Sequence, residues 1–165
     1  MLKGNSKIKI GLGVILVVGL CLLGSGSGFS GEKRAMNGWE LNSPYNKLYK
    51  ASEMDSFKGK VVDIKEVVPM PGMSPGLALE VSESKGETIT VHLCPASFEN
   101  KKTIRIKKGD RVKVSGVWAE INKKDVFMGS KVSKDDYSLK VRLTKDGTPF
   151  WTMTPSQLAR ERQDQ

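Results

Sequence analysis

The sequence predicts an all-β fold, a small barrel of five short strands with a short helix between the third and fourth strands. The chain has 165 residues, which fits one domain with terminal extensions. Its central part consists of short runs in which apolar and polar residues alternate, as they do in strands that bury one face. Clusters of Gly, Pro, Asn and Asp separate these runs and are typical of turns.

The first two strands are separated by a proline-rich loop. Residues 59–68 are rich in Val and Ile and predict the first strand. The loop contains Pro69, Pro71 and Pro75, and proline is not accommodated in a central strand. Alternating residues at positions 77–81 predict the second strand.

A hairpin turn at residues 84–87 leads to a third alternating strand at residues 88–93. The alternation stops at residues 95–102, where we expect a short helix. A fourth strand at residues 112–118 and a fifth at 126–132 flank a turn at 122–125. A last short strand pair, at residues 138–143 and 149–151, flanks a further turn. The polar tail at residues 154–165 should contain a short surface helix.

Five strands with a break between the third and fourth follow the plan of the OB-fold, a Greek-key barrel. An SH3-like barrel and an open sandwich are the alternatives. The break at residues 95–102 favours the OB-fold, because that fold carries a helix at this place.

The N-terminus has the three parts of an export signal. Lys3, Lys7 and Lys9 precede an apolar run at residues 10–23, and small residues follow at 24–28. Cleavage before Phe29 would release a soluble periplasmic protein, whereas an uncleaved segment 10–28 would tether it to the inner membrane. Cys21 follows Leu20, which is not small, so we interpret Cys21 as an apolar residue of the run rather than a lipidation site.

The chain therefore divides into a signal peptide or membrane anchor (1–28), a lead-in segment (29–56), the barrel (57–151) and a polar C-terminal tail (152–165). The lead-in carries Trp39, Tyr45 and Tyr49, which we expect to pack on the domain. Removal of residues 1–28 takes away three lysines and no acid, so the net charge falls from +9 to +6. Cys94 is then the one remaining cysteine and cannot form an internal disulfide.

Several short motifs come in an order that resembles a known family. They are Pro44-Tyr45-Asn46-Lys47-Leu48-Tyr49, Gly59-Lys60-Val61, Pro69-Met70-Pro71-Gly72-Met73, Val91-His92-Leu93-x-Pro95 and Asp146-Gly147-x-Pro149-x-Trp151. This pattern is similar to that of small exported bacterial OB-fold-like proteins, variously labelled DNA-binding or likened to the magnetosome protein MamS. The chain departs from it at Cys94 and Phe98, where Gly and Tyr are expected. The resemblance implies export and a small β barrel, and it implies no established activity.

One candidate binding surface is the mouth of the barrel, formed by Met70, Met73, His92 and Cys94. His92 and Cys94 alternate on one strand and should point the same way. With the two methionines of the first loop they could hold copper, or give haem an axial ligand. Two ligands on one strand make no closed site, so we favour a hydrogen-bonded His92, a buried Cys94 and no cofactor. The haem chaperones of cytochrome c maturation bind haem through a histidine after the barrel, and no histidine follows position 92.

The second candidate surface is a basic stretch with one acid, Asp110. Its seven cationic residues are Lys101, Lys102, Arg105, Lys107, Lys108, Arg111 and Lys113. Such a patch could bind nucleic acid or another polyanion. An OB-fold that binds single strands also needs aromatic platforms. The outward positions of strands two and three hold none: Ala78, Glu80, Thr88, Thr90 and His92.

Catalysis finds no support in the sequence. One histidine and two cysteines exclude multi-cysteine zinc sites and disulfide frameworks within one chain. No nucleophile elbow is present, and every nucleophile–histidine arrangement would depend on His92. We therefore expect a non-enzymatic binding or accessory module that contacts another envelope protein. A copper or haem carrier and a nucleic-acid or polyanion binder are the alternatives.

Overall fold

Six strands follow one another in the computed structural model, which describes residues 36–84 and 86–163. Their bounds are β1 Asp55–Val67, β2 Gly76–Ser82, β3 Thr88–Pro95, β4 Arg111–Ile121, β5 Lys124–Lys134 and β6 Tyr137–Lys140. Short 3-10 helices lie at Asn46–Leu48, Ala51–Glu53 and Phe150–Thr152, and an α-helix, α1, lies at Pro155–Gln163. The fold is thus mostly β, as the sequence predicts. The signal or anchor at residues 1–28 lies outside the described residues.

The strands form one sheet in the order β3-β2-β1-β4-β5-β6, with antiparallel neighbours. β1 is long and pairs with β4 through its first half and with β2 through its second half. β3 also pairs with β5 in parallel, at Val91–Phe127 and His92–Met128. Each of the first five strands therefore has at least two strand neighbours.

Apolar residues occupy alternate positions in these strands, so one face of each strand is apolar. The core lies between these inward faces. Val112 and Val114 of β4 point inward between the exposed Arg111 and Lys113. β4 and β5 approach closely at Gly116, where a Cβ atom would meet the main-chain oxygen of Met128. No side chain fits there, so glycine is required at this position.

The turns fall where the sequence predicts them. Asn122 and Lys123 both have positive φ and connect β4 to β5 in a tight hairpin. Gly86 and Gly147 have positive φ in the turns after β2 and before Pro149. The last predicted strand pair is shorter than expected, being β6 with a single bridge between Arg142 and Pro149. The predicted surface helix of the tail is confirmed as α1.

The predicted helix at residues 95–102 is wrong, because the structure has turns there. The Oδ1 atom of Asn100 accepts the Lys102 N–H at 2.9 Å, and the Oγ1 atom of Thr103 accepts the Asn100 N–H at 2.9 Å. These side chains compete for the donors that a helix would use. The chain then turns inward to bury Ile104 and Ile106.

The lead-in is part of the fold from Met36 onward. Trp39, Tyr45 and Tyr49 are buried, which confirms that these aromatics pack on the domain. The indole N–H of Trp39 donates to the Ser74 carbonyl at 2.8 Å, and that of Trp151 donates to the Trp39 carbonyl at 2.7 Å. Trp39 lies against Gly76 of β2 and the Tyr45 ring stacks on His92 of β3, so the lead-in covers the outer side of these two strands.

Candidate anion-binding face

The outer side of the sheet carries cationic side chains that lie opposite one another on neighbouring strands. Lys58 of β1 is in register with Lys113 of β4, and Lys60 with Arg111. These four residues are exposed, because they alternate with the inward-facing positions of their strands. On the same side Lys131 of β5 is in register with Lys140 of β6. We call these six residues the basic strand face.

Serines fill the positions between the cations. Ser56 pairs with Ser115, Ser115 with Lys131, and Lys113 with Ser133. The Oγ atoms of Ser133 and Ser138 lie 3.0 Å apart. The face thus offers positive charge and hydroxyl groups, which suit an anionic, hydrogen-bonding ligand.

Among residues 36–84 and 86–163 no acid forms an ion pair with a cation of this face. The ion pairs there are Lys50–Glu53, Lys65–Glu80, Lys134–Asp110 and Arg162–Glu99. None of them involves the basic strand face. Like charges directly opposite each other on neighbouring strands are destabilising. A bound anion would remove that repulsion.

A groove of about 760 Å³ runs along the β1–β4 part of this face. Lys58, Lys60, Arg111 and Lys113 line it. Its sides carry three hydroxyl groups and two carboxylates, from Ser82, Ser84, Ser133, Glu83 and Asp135. Its volume is within the range of ligand-binding clefts.

The structure divides the basic stretch that the sequence singles out. Arg111 and Lys113 lie on the basic strand face, whereas the other five cations lie in the connection between β3 and β4. Arg105 places its guanidinium 5.2 Å from the centre of the Tyr137 ring. The remaining four residues are exposed in turns: Lys101, Lys102, Lys107 and Lys108.

Sequence reasoning missed Lys58, Lys60, Lys131 and Lys140. Their alternation with apolar residues could have placed each of them on the outer side of a strand. Their convergence depends on the pairing of β1 with β4 and of β5 with β6. The β1–β4 pairing joins segments some fifty residues apart, and no local pattern specifies it.

Of the predicted barrel-mouth residues, His92 and Cys94 are buried, and the lead-in contacts His92 and Met73. His92 is 6% exposed and Cys94 is 0% exposed. The Tyr45 ring stacks over the His92 imidazole with ring centres 6.2 Å apart. Met70 and Met73 are half-buried, and Met73 contacts Gly38 of the lead-in. The structure therefore places Met73, His92 and Cys94 beneath or beside the lead-in rather than in an open mouth.

Burial also sets the ionisation of this pair. Desolvation lowers the pKa of His92 to about 4, so the imidazole is neutral at neutral pH. Its Nδ1 atom has no hydrogen-bond partner among the described residues. Desolvation raises the pKa of the Cys94 thiol, which disfavours the thiolate that a soft metal would bind. The described residues contain no cluster of three or more His, Cys, Asp or Glu side chains suited to a metal, and the copper or haem hypothesis stays a prediction.

The buried side chain of Arg142 contacts the lead-in and holds it against the domain. It is 1% exposed, and its guanidinium lies 4.7 Å from the ring centres of both Tyr49 and Trp151. It donates to the Asn46 Oδ1 atom at 2.7 Å and to the Gly147 carbonyl at 3.2 Å. These contacts join the lead-in to the C-terminal part of the domain.

Comparison with known proteins gives one family. The sequence model of the MamS/MamX magnetosome protein family matches residues 53–139, just over half of the chain. The match begins just before β1 and ends within β6, so it spans the whole basic strand face except Lys140. None of the curated proteins matches the chain. In the part of the chain that the structure describes, no helix is long and apolar enough to cross a membrane.

Proposed function

The chain belongs to the MamS/MamX magnetosome protein family, and we propose that it is a non-enzymatic accessory protein that binds an acidic partner protein. The proposed contact surface is the basic strand face. The single observation that supports it is the register of Lys58 with Lys113 and of Lys60 with Arg111. The two repulsive pairs on neighbouring strands lower the stability of the free protein. An acidic partner would relieve this repulsion, and that relief would contribute to the free energy of binding.

The architecture we propose is an OB-fold-like barrel with the lead-in packed on its outside. The pairings β1–β2, β2–β3, β3–β5, β5–β4 and β4–β1 support it, because they return to the strand at which they begin. In such a barrel the face of strands two and three is the usual site for oligonucleotides. Here Tyr45 covers His92 on that side. A protein contact at the β1–β4 side is therefore a better fit than a single-stranded nucleic acid in the usual site.

We place the protein and its partner in the cell envelope. Support comes from the sequence of residues 1–28, with its basic start, apolar run and small residues. After cleavage the protein would be free in the periplasm, and without cleavage it would be tethered to the inner membrane by residues 10–28. Both arrangements leave the basic strand face on the periplasmic side.

Photo-crosslinking in intact cells tests this function. A crosslinking amino acid replaces Ser115, which lies between Lys58, Lys113 and Lys131 on the sheet. We expect one discrete product with an acidic envelope protein, which is then purified and titrated against the full chain in non-ionic detergent. Affinity should fall steeply with salt, because exposed charges form the contact.

Two double variants separate this surface from net charge. Lys58→Glu with Lys113→Glu reverses two of the six charges of the face, and Lys47→Glu with Lys145→Glu makes the same charge change at exposed sites elsewhere. The first variant should lose the complex and the second should keep it. Equal loss in both variants, or no product from position 115, would contradict the proposed function.

A further inference from the structure

The cations of the groove are arranged in two rows that follow the strands. Lys58 and Lys60 are alternate residues of β1, and Arg111 and Lys113 are alternate residues of β4. Alternate residues of a strand are about 7 Å apart, and residues opposite each other on neighbouring antiparallel strands are about 5 Å apart. The Cα atoms of these four residues therefore form a small grid whose long repeat is that of an extended chain.

We propose that this groove binds an extended acidic segment with a carboxylate at every second position, and the proposal rests on the function given above. An extended peptide along β1 and β4 has the same repeat of about 7 Å between alternate side chains. One carboxylate then lies between Lys58 and Lys113, and the next lies between Lys60 and Arg111. The planar guanidinium of Arg111 can hold its carboxylate through two parallel hydrogen bonds.

The sides of the groove limit what enters it. Ser82 and Ser84 on one side and Ser133 on the other can hydrogen-bond to the main chain of the segment. Glu83 and Asp135 lie in the same groove and repel carboxylates outside the grid. The intervening carboxylates of a continuous acidic run add negative charge near these two acids, and an alternating segment avoids that repulsion.

The groove residues favour a peptide over a nucleic acid. Among the residues that line it are lysines, an arginine, serines, Gly59, Val62 and Val112, and none of the lining residues is aromatic. Binding of single strands depends on bases that stack on aromatic side chains. The groove supplies charge and hydrogen bonds without that platform.

The test measures fluorescence anisotropy of two short labelled peptides of the same composition, with the full chain in non-ionic detergent. In one peptide aspartate and serine alternate, and in the other all aspartates are consecutive. We expect the alternating peptide to bind about tenfold more tightly. Lys58→Gln with Lys113→Gln should remove this preference, whereas Lys47→Gln with Lys145→Gln should leave it intact. Circular dichroism confirms that each variant is folded.

Three outcomes would overturn the inference. Equal affinity for the two peptides would show that the spacing is not recognised. Tighter, face-dependent binding of single-stranded DNA or of anionic lipid vesicles would assign the groove to another class of ligand. If neither peptide binds while the crosslink at position 115 forms and depends on Lys58 and Lys113, the inference fails and the proposed function stands.

Discussion

The guanidinium of Arg142 lies between the rings of Tyr49 and Trp151 and reaches the side-chain oxygen of Asn46. Its two hydrogen-bond acceptors, the Asn46 side-chain oxygen and the Gly147 carbonyl, are both neutral. Burial lowers the pKa of Arg142, and the surrounding aromatic faces offset part of that cost. This residue therefore couples the lead-in to the body of the domain.

Replacing Arg142 by Met should destabilise the protein by roughly 2–4 kcal/mol, because two buried acceptors lose their donor. The measurement is the free energy of unfolding in urea. Arg160→Met on the exposed side of α1 is the control and should change little. A change below about 0.5 kcal/mol for Arg142→Met would contradict this role.

His92 should make stability depend on pH. Its pKa is about 4 when folded, lowered chiefly by desolvation, and 6.5 is the ordinary value. The unfolded state therefore binds more protons between these values, so stability is full above pH 6.5 and falls as the pH drops toward 4. The loss is on the order of 3 kcal/mol when complete. Glu80, whose charge raises this pKa, keeps the shift smaller than burial alone would make it.

Urea unfolding between pH 7 and pH 4 measures this dependence. In His92→Gln the part of the slope between pH 6.5 and 4.5 should disappear, while the contributions of carboxylates remain in both proteins. Parallel stability curves for the two proteins over this range would show that His92 is not buried in a neutral form.

At the scale of elements, the lead-in behaves as an added layer on β2 and β3. Gly76 of β2 leaves room for the Trp39 ring, because a Cβ atom there would meet that ring. The Cys94 carbonyl lies beside the same position. Trp39 is thus the side chain that covers the end of this strand pair.

Trp39→Ala should loosen the lead-in and expose Cys94. Loss of a buried tryptophan typically costs about 3–5 kcal/mol. Alkylation of Cys94, followed by peptide mass spectrometry so that Cys21 does not interfere, should become faster. Leu41→Ala changes an exposed residue of the same segment and should leave Cys94 protected. Unchanged protection in Trp39→Ala would mean that the strands alone bury this thiol.

The basic strand face predicts that binding and stability conflict. Lys58→Glu replaces a repulsive pair with Lys113 by an attractive one, so stability should rise by about a few tenths of a kcal/mol. The same change should weaken the complex with the acidic partner. Urea unfolding and titration of the crosslinked partner measure the two effects. A destabilised Lys58→Glu variant would argue against the repulsion.

At the scale of the whole molecule, the strands were predictable and their arrangement was less so. The alternation around Val112 and Val114 places β4 correctly, because one buried face imposes a period of two. The helix expected at residues 95–102 fails, because the Asn100 and Thr103 side chains bind the main chain. Composition alone does not reveal this competition.

For a related reason, only some residues of the candidate site could be predicted from the sequence. Arg111 and Lys113 belong to a conspicuous basic run, so the sequence points to them directly. Lys58 and Lys60 join them through the β1–β4 pairing, which is a tertiary choice. The burial of His92 and Cys94 likewise depends on where the lead-in packs. The lead-in sequence has no periodicity, so it does not predict which strands the lead-in contacts.

The central claim is that a partner covers the basic strand face in the cell, and lysine footprinting tests it most directly. Lysines are acetylated in intact cells and in the purified full chain, and mass spectrometry compares the two extents at each position. We predict that Lys58, Lys60 and Lys113 are protected in cells relative to the purified protein, while Lys47 and Lys145 react equally in both. Equal reactivity of all five lysines in the two states would contradict the claim.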